Sequence, residues 1–81
     1  MENSIADDLL NERMKALENI ESICQSMLKS VGQAKFYARA SRNKAKKHIR
    51  IEFQTVEGMY NDTISDMADL AVRLASIVDS L

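Results

Sequence analysis

Proline and tryptophan are absent from this chain, which has only two glycines, one cysteine and one histidine. Without proline nothing compels a helix to stop, and with so little glycine few positions favour a left-handed backbone turn. One cysteine excludes an internal disulfide. Cys24 and His48 together are too few for a Cys/His metal site, and they pair with no obvious base or nucleophile. The aromatics are two Phe and two Tyr, so a core must come from Leu, Ile, Val, Met and Ala, residues at home in helices. No stretch approaches the roughly 18 unbroken apolar residues of a membrane span. The opening MENSIADDLL also lacks the basic and apolar regions of a secretory signal. A cytoplasmic protein without a membrane span is expected.

What is present is helical periodicity. From Ile5 to Ala38 apolar residues recur at steps of three and four: Leu10, Met14, Leu17, Ile20, Cys24, Met27, Val31, Ala34 and Ala38. Cys24 reads here as a small buried hydrophobe. Ser4 is the expected N-cap, with Asp7 and Asp8 complementing the positive helix end. A second stripe runs through Ile49, Phe53, Val56, Tyr60, Ile64, Met67, Ala71, Leu74, Val78 and Leu81. The stretch between them, Arg39 to His48, has only Ala40 and Ala45 to bury. The chain is predicted to reverse there, near Arg42 and Asn43, with Ser41 or Asn43 capping the second helix. The expected fold is all-α: a single domain, 1–81, forming a long antiparallel hairpin of helices at about 4–40 and 43–81.

That register pairs Ile5 with Leu81, Leu17 with Met67 or Ala68, Leu28 with Val56, and Gly32 with Phe53, Gly32 acting as a notch for the ring. Each arm would be about 50 Å long at about 1.5 Å per residue. A three-helix bundle broken at Gly32 and Gly58 is the alternative, since Gly32 reads as a helix-terminating residue and Asn61 and Asp62 as a helix start. Lys44, Lys46 and Lys47 favour that alternative, because in the first turns of a second hairpin helix they oppose its dipole. The weakly apolar 39–48 stretch counts against it, as a central helix needs more to bury.

Catalytic and metal-binding patterns are lacking. Asp62, Asp66 and Asp69 share a helical face without a sign of a cleft, and GQAK at 32–35 is no phosphate loop. A non-enzymatic protein without cofactor, metal or small-molecule substrate is expected. Charge is segregated. Lys35, Arg39, Arg42, Lys44, Lys46, Lys47 and Arg50 lie in a stretch without acids, and all 12 acids lie elsewhere. If this segment is helical, Lys35, Arg39, Arg42, Lys46 and Arg50 form one stripe suited to phosphates, bordered by Phe36 and Tyr37. Nucleic acid, an acidic protein surface, an anionic membrane surface and plain solvation of a turn are its possible uses.

The apolar faces are wider than a two-stranded seam requires. Leu9, Ile23, Leu28, Leu70 and Ile77 flank the stripes, and Met14, Met27, Met59 and Met67 would make an adaptable groove. An 81-residue chain is also near the size at which self-association commonly supplements a small core. A protein-interaction or oligomerisation module follows, a homodimer closing a four-helix bundle or an adaptor or chaperone-like subunit of a helical complex. The expected contact residues are Leu9, Leu17, Ile20, Ile23, Met27, Leu28, Phe53, Val56, Tyr60, Met67, Leu70, Leu74 and Ile77. The second functional reading is a nucleic-acid binder using residues 35–50, with Lys35, Arg39, Arg42, Lys46, Lys47 and Arg50 as contacts. In architecture the paired helices resemble small plasmid RNA-binding hairpins, hairpin proteins of type VII secretion and helical export chaperones. No Trp-x-Gly turn or other diagnostic motif is present, so none of their residues carries over.

Overall fold

A computed structural model of the chain describes the backbone of residues 2–81 and the side chains of residues 4–81. Two helices, α1 (Glu2–Lys46) and α2 (Arg50–Asp79), run antiparallel as a hairpin of 70 × 16 × 12 Å. The three-helix alternative is overturned, because Gly32 and Gly58 both lie inside continuous helices and neither has a positive φ. A helical glycine costs only about 1 kcal/mol relative to alanine. That is too little to break a helix held by packing on either side.

The seam follows a strict alternation of four- and three-residue steps. On α1 it is Ala16, Ile20, Ile23, Met27, Ser30, Ala34, Tyr37, Ser41 and Lys44. On α2 it is Ile49, Phe53, Val56, Tyr60, Thr63, Met67, Leu70, Leu74 and Ile77, and every one of these is buried or half-buried. Such spacing keeps one stripe of each helix against the other. The register shows in two polar contacts near the tip. The Ser41 hydroxyl donates to Glu57 Oε1 at 2.9 Å, and Lys44 forms an ion pair with Glu52. Continued along the arms, it sets Ser30 level with Met67, Ile23 with Leu74 and Ile20 with Ile77. Leu81 therefore stands beside Ala16, sharing a depression with Leu9 and Arg13, and the first turns of α1 project past the end of α2.

The reversal lies at Lys47–Ile49, later than the expected Arg42 and Asn43. Its hydrogen bonds are those of a Schellman helix end: His48 N–H donates to Ala45 O at 3.1 Å and Ile49 N–H to Lys44 O at 3.1 Å. His48 takes the left-handed position with φ 58°. Lys44 and Lys46 thus occupy the last turn of α1, where cations complement the negative helix end. The lysines that opposed an N-terminus there support a C-terminus. Neither Ser41 nor Asn43 caps α2. Both belong to α1, and the N-cap position is Ile49, without a side-chain hydrogen bond. Ser4 likewise lies within α1 rather than at its cap.

Moving the turn rotates α1 relative to its expected seam. Leu10, Met14, Leu17, Cys24 and Ala38 are exposed, while Ser30, Tyr37 and Ser41 face α2. On α2, Thr63, Leu70 and Ile77 take the places expected of Ile64, Ala71 and Val78. Cys24 is therefore an exposed thiol and not a core hydrophobe. A Cβ on Gly32 would meet nothing within 4 Å, so the notch for Phe53 does not exist. The pairings of Ile5 with Leu81, Leu17 with Met67, and Leu28 with Val56 fall with the same register.

Candidate association surface

The seam buries little. Ile23 and Ala34 are the only buried hydrophobic residues among those described, at 6% and 8% exposure, and they are joined by Ser41 and Thr63. Both hydroxyls are satisfied, Thr63 by donating to Met59 O at 2.9 Å. The total accessible surface is 6560 Å². A compact monomer of 9.1 kDa would expose about 4,900 Å². The radius of gyration is 19.5 Å, against about 12 Å for a globule of this length. The hairpin thus leaves a large surface that a compact fold would have covered.

The two flanks of the seam differ. In an antiparallel pair, residues following the seam on one helix share a side with those following it on the other. Ala45 and Arg50 accordingly line one depression with Phe53 on this side of the tip. Along that side α1 presents Leu10, Met14, Leu17, Cys24, Leu28, Val31, Ala38 and Ala45, and α2 presents Ile64, Ala68, Ala71, Ala75 and Val78. The positions step by four and three, as the seam does, so each helix carries a second apolar stripe beside the first. Leu28 is the most open of these, at 72% exposure. Glu21, Lys35 and Arg42 are the charged interruptions on α1 and Glu57 the one between Arg50 and Val78 on α2.

The opposite flank is built for water. There α1 shows Glu12, Lys15, Asn19, Ser22, Ser26, Lys29, Gln33 and Asn43, and α2 shows Thr55, Asp62, Asp66, Asp69, Arg73 and Ser76. Its main apolar feature is an island near the tip, where exposed Phe36 lies level with Met59 and packs edge-on against Tyr37, the ring centroids 5.6 Å apart.

Of the contact residues expected from the sequence, Ile20, Ile23, Met27, Phe53, Val56, Tyr60, Met67, Leu70, Leu74 and Ile77 stand on the seam, turned to the other arm. Leu17 and Leu28 lie on the open apolar flank, and Leu9 lies at the seam's outer end near Leu81. Sequence reading assigned Leu10, Met14, Val31, Ile64 and Val78 to the seam. Their shared three-and-four spacing with one another was the signal that a second stripe exists. The basic residues gather at the tip. Lys35, Arg39, Arg42 and Lys46 follow one outer stripe of α1, whereas Arg50 begins α2 and leaves that stripe. Arg39, Lys44 and Lys47 line a shallow depression with Phe36 and Asn43.

No helix among the described residues is long and apolar enough to cross a membrane. Comparison with models of protein families, with curated proteins and with solved structures returns no match.

Proposed function

We propose that this protein is a non-enzymatic helical association module that works by having its apolar flank covered. The observation that carries the reading is the asymmetry of the flanks: a second three-and-four stripe of apolar residues runs along one side of the seam only, exposed except for half-buried Val31. Continuous exposed apolar surface supports this reading, since proteins that stay monomeric in water rarely leave such a patch bare. Covering it with two further helices gives a four-helix arrangement, in which the thin seam becomes part of a fuller core. The protein then acts as a scaffold, a small subunit or an adaptor in a helical assembly.

The test is the concentration dependence of thermal unfolding, followed by helical circular dichroism. A chain that needs the flank covered melts at rising temperature as concentration rises, and Val31→Glu with Ile64→Glu removes that dependence. A melt independent of concentration and unaltered by these two changes would refute association through this face.

A second reading is supported by the tip, where exposed Phe36 stands beside Arg39 and Lys47. A ring bordered by cations is suited to stacking a single-stranded base while neutralising its phosphates. Retention on single-stranded RNA that falls with salt and is lost in Phe36→Ala supports this use. Full retention by that variant would count against the stacking role.

A further inference from the structure

We propose that the apolar flank is covered by a second copy of this chain lying antiparallel to the first, α1 upon α1 and α2 upon α2, with the twofold axis near Leu28. This rests on the reading of the flank as an association surface and adds its occupant, polarity and register. Three observations carry it: the excess of exposed surface, the overhang of α1 and the segregation of charge.

The accessible surface exceeds that of a compact monomer by about 1,700 Å², and a stable dimer of ordinary size needs only about 800 Å² from each partner. The exposed surface is thus ample for an interface with one further copy. Two hairpins meeting face to face about a twofold axis have two arrangements. If the axis runs along the helices, each α1 lies upon the other copy's α2, and both tips come to the same end. The seven cations between Lys35 and Arg50 of each copy would then gather at the same end of the dimer. The first turns of α1, which project past Leu81, would have nothing to cover Leu10 and Met14.

If the axis runs across the helices near Leu28, both difficulties vanish. The projecting turns of each α1 lie on the tip of the other copy, so Leu10 comes level with Ala45, Leu17 with Ala38, and Met14 with Arg42 between those two alanines of the second copy. Asp7, on this flank, comes level with the region of Lys47 and Arg50, while Asp8 and Glu12 stand at the same end on the water-facing side. Glu21 and Lys35, the charged interruptions on either side of Leu28, face each other twice by symmetry. The small stripe Ala68, Ala71 and Ala75 falls at the centre of α2 upon α2, where it lets those helices approach closely. An isologous contact of this kind is closed and self-complementary. It brings the acidic first turns of one copy to the end held by the basic tip of the other, whereas the parallel pairing gathers both basic tips at one end.

The experiment combines a distance with a charge swap. In a Cys24→Ala background, Asn43→Cys places a spin label on the water-facing flank near each tip. The antiparallel dimer sets the labels roughly 50 Å apart, and the parallel one sets them under roughly 30 Å apart, from about 1.5 Å of rise per residue. Glu21→Lys and Lys35→Glu are each expected to weaken the dimer about tenfold in sedimentation equilibrium, and the double variant is expected to restore it. A dimer with the short distance, or with no rescue by the swap, overturns this register while leaving the association surface standing. A concentration-independent monomer overturns the second copy as the occupant. If Val31→Glu with Ile64→Glu also leaves its melt unaltered, the reading of the flank fails as well.

Discussion

The two flanks of this hairpin are made by the same two helices, over the same length, and both face solvent in the single chain. One carries Asp62, Asp66, Asp69, Ser26 and Gln33, and the other carries Leu17, Leu28, Ile64 and Val78. Nothing in folding the hairpin requires that difference, since residues on neither flank lie on the seam. A side chain's exposure in one chain therefore does not show that it suits water. The contrast between two equally exposed sides is what sets the apolar flank apart and motivates the proposal that a partner covers it.

The sharpest way to break this comparison is to place the same charge on each flank. Leu28→Glu on the apolar side is expected to weaken association by at least 100-fold, as an unpaired carboxylate cannot be buried at the centre of an interface. Gln33→Glu on the other side should change it less than about threefold. Sedimentation equilibrium of the two variants decides, and equal effects would erase the distinction between the flanks.

Next in size is the seam that both flanks border. Ile23→Ala removes much of the best-buried hydrophobe and is expected to cost about 2–3 kcal/mol in chemical unfolding, the lower part of the range for such truncations because the hairpin is thin. Cys24→Ala, one position along and exposed, is expected to cost well under about 1 kcal/mol. Similar losses at both sites would mean that the seam runs where the sequence first placed it.

Backbone changes sharpen the comparison between the turn and the helices. His48→Gly relieves a left-handed residue and is expected to stabilise the hairpin by about 1 kcal/mol. Gly32→Ala should give about as much for the opposite reason, because Gly32 is helical and a Cβ there meets nothing. Had Gly32 ended a helix, alanine would have been harmful. The smallest effect belongs to the ion pair of Lys44 and Glu52, whose side chains are 33% and 53% exposed. Lys44→Met should shift the melting free energy by less than about 0.5 kcal/mol.

Much was legible in the residues alone. The absence of proline, the scarcity of glycine and aromatics, and the three-and-four recurrence on either side of a weakly apolar stretch determined two long helices folded back on each other. The run of basic residues determined a charged tip. What the residues did not determine is which stripe of each helix meets the other. Leu10, Met14, Leu17 and Cys24 keep the same periodicity as Ile20, Ile23 and Met27, and Ile64 and Val78 the same as Thr63 and Ile77. Periodicity fixes spacing but not phase. The phase came from the turn, where His48 in a left-handed conformation and the lysines at the end of α1 set the reversal at Lys47–Ile49. Once the chain reverses there, contacts between residues far apart in sequence place Ser41 and Ala34 inside and leave Leu17 and Leu28 outside. Only the tertiary structure closes those contacts, so only it separates the stripe that holds the hairpin together from the stripe left open beside it.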